Sequence, residues 1–204
     1  GSGGVRIRRL LLPEPEAEKR EDRAYQGLIK LADDCDTPVQ YLHAGEYLQT
    51  EQLQIQCIHP VKDFACESAN AYSTTLSICW KETGFLLCGD LEGEGKEAVI
   101  RWFQNSPEES LMQYDILKVA HHGSKNSTST EFLEKVRPGA AIISCGKHNR
   151  YGHPHGELLS RLEQFRLQIA RTDEEGAVTV FSDGRKVTVK TYRSAKISTK
   201  RNLS

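Results

Sequence analysis

The stretch Asp115-Ile116-Leu117-Lys118-Val119-Ala120-His121-His122-Gly123-Ser124 sets the reading of the whole chain. A short apolar run reads as a buried strand and passes into a loop that opens on two histidines and a glycine. Two other segments share the design. Phe85-Leu86-Leu87-Cys88-Gly89-Asp90 ends on a carboxylate, and Ala141-Ile142-Ile143-Ser144-Cys145 leads to Tyr151-Gly152-His153-Pro154-His155. In α/β architectures ligands bind at the carboxyl ends of strands, where loops converge above a rigid sheet. Asp90, His121, His122, His153 and His155 are therefore expected to form a metal cluster. Imidazole and carboxylate suit Zn²⁺ or Mn²⁺, and an ion held this way turns its bound water into a hydroxide nucleophile. Glycines at 89, 123 and 152 permit tight turns beside the ligands.

Outward from these segments, β and α signals alternate. Strands are expected over 5–12, 39–42 and 53–58, a hairpin over 74–80 and 85–88, and further strands over 115–119, 140–145, 169–171, 177–181 and 186–192. Helices are expected over 22–34, 94–103, 129–136 and 157–165. Ala24, Leu28, Leu31 and Ala32 share one face of the first helix, and Leu53, Ile55 and Cys57 alternate with Gln52, Gln54 and Gln56, the pattern of a sheet wet on one side. Asp183-Gly184 marks a late hairpin. The order favours two packed sheets with helices outside them.

The 204 residues carry 27 Lys plus Arg against 28 Asp plus Glu, so the net charge of −1 gives no global attraction to a polyanion, and any such contact is local. No apolar run reaches the roughly 18–20 residues of a membrane-spanning helix, and no signal-peptide core is present. The cysteines at 35, 57, 66, 79, 88 and 145 form no CxxC pair and read as small buried hydrophobes. His43, His59 and His148 stand outside the strand-end pattern and read as surface or packing residues. Residues 1–4, Gly-Ser-Gly-Gly, read as a linker or cloning remnant, residues 5–193 as one domain, and residues 194–204 as a fraying basic tail in which Lys196, Lys200 and Arg201 could favour DNA or anionic lipid.

Taken in order, the motifs Phe85 to Leu91, Asp115 to Ser127, Val136 to Gly146, Asn149 to His155 and Arg171 to Val180 resemble the C-terminal metallo-β-lactamase domain of the ComEC/Rec2 competence proteins. That resemblance spans about residues 5–182 and implies an αββα sandwich. It implies a metal-dependent hydrolase attached to a membrane channel for DNA uptake, acting as a phosphodiesterase or nuclease on the strand that is not imported. By position, Asp90 resembles the carboxylate bridging two metals and His153 the late histidine ligand, while His121 and His122 match a His-His-Gly-Ser signature with either residue open as the ligand. Asn70 stands where many relatives of the wider superfamily carry a further histidine. The superfamily's first motif, His-x-His-x-Asp-His, has no match in the sequence. The expectation is a fold lacking its N-terminal strands and half of its two-metal site, with weak or absent hydrolysis by this chain.

Ser124, Lys125, Asn126, Asn149 and Arg150 flank the histidines with donors and positive charge and are candidate phosphate contacts, with Asn70 also facing substrate. Implied partners are DNA, as a single strand or a duplex end, and the channel domain of the same parent protein. The implied location is the extracytoplasmic face of the cell membrane, or the cytoplasm for a free-standing protein. A non-catalytic DNA-binding or channel-associated module, or a hydrolase of another ester or phosphodiester, fits the same residues.

Overall fold

The computed structural model describes residues 6–14, 22–106, 113–193 and 197–199. Its centre is a seven-stranded sheet in the order β3 (Tyr47–Gln49), β4 (Leu53–His59), β5 (Thr75–Trp80), β6 (Thr83–Leu87), β7 (Ile116–Lys118), β8 (Ala140–Ile143) and β9 (Gln168–Arg171). The strands pair antiparallel from β3 to β6 and parallel from β6 to β9. Because the last four strands run the same way, the segments following them emerge at one edge of the sheet. That edge carries every strand-end motif of the sequence.

Side-chain alternation divides this sheet between two cores. Leu86, Leu117, Ala141 and Ile143 join Val99, Ile100 and Phe103 of α2 (Gly93–Asn105), Phe132, Leu133 and Val136 of α3 (Thr130–Val136), and Leu158 and Leu162 of α4 (Gly156–Gln164). The alternate residues Phe85, Ile116, Ala140, Ile142 and Ala170 pack instead on Val178, Val180, Val187 and Val189. These valines belong to β10 (Val178–Ser182) and β11 (Val187–Thr191), which with β12 (Ile197–Thr199) form an antiparallel three-stranded sheet. Both faces of the central strands are thus covered, which is why they read as continuous apolar runs. A fully buried residue such as Leu117 or Ile143 contributes roughly 1.5–3 kcal/mol by leaving water.

Several expectations need correction. Within the expected first strand only Leu10–Leu12 is β1, paired in parallel with β2 (Val39–Tyr41), and Val5 lies outside the described residues. Helix α1 (Arg23–Asp34) starts at Asp22, whose carboxylate accepts from the Ala24 and Tyr25 amides. Its apolar stripe is nevertheless mostly uncovered, with Ala32 buried and Leu28 and Leu31 exposed. The glutamines of β4 do not mark a wet face, because Leu53, Gln54, Ile55 and Gln56 are all half-buried and Cys57, Ile58 and His59 are all buried. Edge strand β3 carried no apolar alternation and was not anticipated. The hairpin turn is tighter than expected, with Lys81 in the left-handed region at φ 54°. Of the cysteines, Cys57 and Cys88 are buried, Cys66, Cys79 and Cys145 are half-buried and Cys35 is exposed; all are free. The tail is not frayed throughout, since β12 pairs with β11, while Lys196, Lys200 and Arg201 lie outside the described residues. His59 is fully buried, its Nε2 at 2.6 Å from the Ala71 carbonyl, and His148 is exposed.

Candidate metal centre

Three loops interlock at the parallel strand ends through their backbones. The His121 amide donates to Gly89 O (3.0 Å) and the His155 amide to Gly123 O (3.0 Å), while the Asp90 amide donates to Ser73 Oγ (3.0 Å). His121 (φ 45°, ψ 49°) and His122 (φ 54°, ψ 17°) are consecutive left-handed residues, followed by Gly123 at φ 93°. Holding two imidazole-bearing residues in that region costs on the order of 1–3 kcal/mol each, a type of strain that clusters at functional sites. A side chain at Gly123 would meet Pro154 Cβ at 2.6 Å, so the His-His turn sits directly against the His153-Pro154-His155 segment.

This backbone sends the two histidines to different partners. His122 Nδ1 lies 2.6 Å from the Ser144 carbonyl, and its Nε2 faces Asp90 Oδ1 at 3.5 Å. A backbone carbonyl that holds one ring nitrogen fixes the tautomer and leaves the other nitrogen as a lone-pair donor. Two ligands each about 2.1 Å from a tetrahedral ion lie roughly 3.4 Å apart, so Asp90 and His122 are spaced as neighbouring ligands of one ion. His121 turns elsewhere. Its Nδ1 lies 3.0 Å from Glu92 Oε2 and 3.4 Å from Asn70 Nδ2. Glu92, at the start of α2, went unnoticed in the sequence; its other oxygen, Oε1, is buried without a partner. A Gly-Asp-x-Glu spacing after a strand was the available signal, too common to single out.

The remaining candidates separate further. His153 packs edge-on against His121 and His155, at centroid distances of 5.3 and 4.8 Å. Burial, aided by the neighbouring imidazoles of His155, His121 and His122, pushes its pKa below the usual histidine value and favours the neutral form. His155 caps α4, and its Nδ1 accepts from the Lys125 amide at 3.1 Å. Among the described residues, no three His, Cys, Asp or Glu side chains converge closely enough to hold an ion. Of the five expected residues, the structure spaces Asp90 and His122 as a ligand-like pair and sets His121 beside it against Glu92. A catalytic zinc takes three protein ligands, so the described residues fit a metal in donor type and spacing but do not complete its site.

The expected phosphate contacts also change. Ser124 is buried and its Oγ accepts from the Asn126 amide at 3.4 Å, which makes it a turn residue. Asn149 has no spare donor or acceptor: Nδ2 donates to Gly146 O (2.9 Å) and His153 O (2.6 Å), and Oδ1 accepts from the Tyr151 and His153 amides. Lys125 is exposed and lies 3.7 Å from Glu157, Asn126 is exposed, and Arg150 is exposed against Tyr151. Lys118 was not anticipated. Burial pushes its ammonium below the ordinary lysine value, opposed in part by the nearby Asp90 carboxylate, and it donates to Val119 O at 2.8 Å.

The loop after β8 is clasped from β9. Thr172 Oγ1 accepts from the Cys145 amide (2.9 Å) and donates to the Cys145 carbonyl (2.8 Å), next to the Ser144 carbonyl that holds His122. Arg171 and Asp173 form a two-bond pair beside it, at 3.2 and 2.7 Å.

Residues 66–148 match the Metallo-beta-lactamase superfamily. ComE operon protein 3 of Bacillus subtilis is 34% identical over 85% of this chain, and Recombination protein 2 of Haemophilus influenzae is 31% identical over 67%. Competence protein ComA of Neisseria gonorrhoeae is 30% identical over 53%. The chain spans 21%, 16% and 15% of the lengths of these relatives. Among solved structures, CmlA, a diiron beta-hydroxylase from Streptomyces venezuelae, superposes with a TM-score of 0.54 over 80% of this chain and 38% of its own, at 12% identity, a likeness of fold alone. No described helix is long and apolar enough to cross a membrane. The mixed sheet between helices and a second sheet, the strand-end loops and these relatives together place the chain in the metallo-β-lactamase superfamily, as a domain of the ComEC type found in competence proteins.

Proposed function

We propose that this domain belongs to a metal-dependent phosphodiesterase that cleaves DNA, in the setting of a DNA-uptake protein whose channel domain lies in the membrane. The observation that carries the reading is the Asp90–His122 pair: two donors spaced as ligands, one imidazole nitrogen tied back to Ser144, at the edge where three strand-end loops meet. Zn²⁺ or Mn²⁺ would supply Lewis acidity and an activated water. Asp90 and His122 provide two ligands, and at least one more is needed for a closed site. The Glu92 carboxylate would hold the His121 ring through its Nδ1, and Lys118 would add positive charge near Asp90. Placement on the extracytoplasmic face, acting on the strand that is not imported, follows the resemblance to competence proteins.

A second reading is favoured by the lack of a three-ligand group among the described residues: a DNA-binding or channel-associated module without catalysis. The two separate in one assay. Labelled single-stranded and duplex DNA is incubated with the protein in Mn²⁺ or Zn²⁺, and bound metal is measured on the same samples. The first reading expects metal-dependent cleavage, weak for this chain, lost in Asp90→Ala and His122→Ala together with metal affinity. Intact DNA from folded, metal-bearing protein rejects it and leaves the binding module.

A further inference from the structure

Beside His122 an open cleft of about 160 Å³ is lined by His122, Cys145, Gly146, Asn149, Tyr151 and His153. It holds the volume of only a few waters, at ~30 Å³ each, which suits one flat ring. Several of its hydrogen-bonding groups are consumed internally. All four of Asn149's donors and acceptors close the loop on itself, and His122 Nδ1 is taken by Ser144 O. Burial pushes the Cys145 thiol up to about 11, so it is uncharged. With the Asn149 amide committed, the walls of the cleft match the face of an aromatic ring better than a phosphate. Tyr151, 61% exposed, lies over His153 with ring centroids 5.8 Å apart and planes 27° from parallel. The Arg150 guanidinium carbon lies 4.8 Å from the Tyr151 ring centroid, and one of its nitrogens donates to the Tyr151 hydroxyl at 2.5 Å. An exposed aromatic already braced by its neighbours loses little freedom when a ring settles on it.

We propose that Tyr151, seated on His153 at the mouth of this cleft, is a stacking platform for one nucleobase of a single-stranded nucleic acid. The inference rests on the DNA-cleaving reading and deepens it by naming the part of the substrate next to the Asp90–His122 pair. Arg150 places its charge where the flanking backbone phosphate would run. Because the Asn149 amide is committed to its own loop and the exposed surface at the mouth is a ring, recognition is chiefly by the π-face and tolerates different bases.

The test is fluorescence anisotropy in EDTA, with labelled oligothymidylate of twelve nucleotides and an all-abasic oligomer of the same length. Stacking is worth about 1–3 kcal/mol per base, so Tyr151→Ala should weaken oligothymidylate binding about 5- to 150-fold. Tyr151→Phe should bind within about twofold of the parent, and the abasic oligomer should bind parent and Tyr151→Ala alike. Oligodeoxycytidylate should bind within a few-fold of oligothymidylate. Equal binding of oligothymidylate by parent and Tyr151→Ala overturns the platform, as does an equal loss on the abasic oligomer. Circular dichroism and the thermal midpoint establish that Tyr151→Ala is folded. Cleavage is scored separately: metal-dependent cleavage with base-independent binding removes the platform and leaves the nuclease, whereas base-dependent binding without cleavage removes the nuclease and leaves the platform.

Discussion

Replacing Gly123 by alanine strikes the point at which the His121-His122 turn is locked to the His153 loop. The added Cβ would stand 2.6 Å from Pro154 Cβ, 3.0 Å from Pro154 Cα and 3.2 Å from Leu158 Cδ2, at a φ of +93°. Two costs combine. An L-residue in left-handed backbone costs roughly 1–2 kcal/mol, and overpacking against a proline ring that cannot swing away costs about 1–3 kcal/mol. Their sum is about 2–5 kcal/mol, a fall in Tm of roughly 4–20 °C for a chain of this size. Two further glycines separate the terms. Gly152, at φ +70° with nothing near its Cβ position, carries strain alone, so Gly152→Ala should lose about 1–2 kcal/mol. Gly27, inside α1 with open space around it, should gain about 0.5–1 kcal/mol as alanine. The assay is urea denaturation of all three variants with the parent, alongside metal binding, which should fall in Gly123→Ala more than in Gly152→Ala. A Gly123→Ala loss below about 1 kcal/mol, or one equal to that of Gly152→Ala, would refute the interlocked-loop account.

Two other outcomes follow from the same geometry. Thr172→Val removes both bonds to Cys145 at nearly constant volume and should cost about 1–3 kcal/mol and roughly tenfold in metal affinity, with Thr172→Ser restoring both; equal affinity in all three would show that the clasp does not orient His122. Burial holds the His59 imidazole below its usual pKa, with its bond to the Ala71 carbonyl partly opposing, and His153 is shifted the same way. The unfolded chain therefore takes up protons first as pH falls through about 6.5, so stability is full above pH 7 and declines toward pH 5. Below about pH 4 the Asp173 carboxylate, held low chiefly by its bonds to Arg171, adds a further loss. Urea midpoints from pH 3 to 8 measure this, and a midpoint that rises on acidification from 7 to 5 contradicts it.

What was legible in the sequence was local and periodic. The apolar runs at 85–88, 116–119 and 140–143 marked the parallel strands because burial on both faces leaves no polar alternation. Asp90, the His121-His122 pair and the His153 segment were legible as strand-end residues, and parallel pairing alone brings such ends together. The sequence by itself thus determined which strands, which edge and which motifs. What it could not determine were contacts made across loops, where spacing along the chain carries no distance. Only the tertiary structure decided that His122 faces Asp90 while His121 turns to Glu92, because that choice depends on two left-handed residues braced by Gly89, Gly123 and Pro154. It likewise decided that Asn149 and Ser124 are consumed by their own turns, since a free amide and a committed one have the same letter. The exposed stripe of α1 teaches the converse lesson: amphipathic spacing fixes which residues share a face, but burial requires a partner surface, and among the described residues only Ala32 of that helix is fully buried.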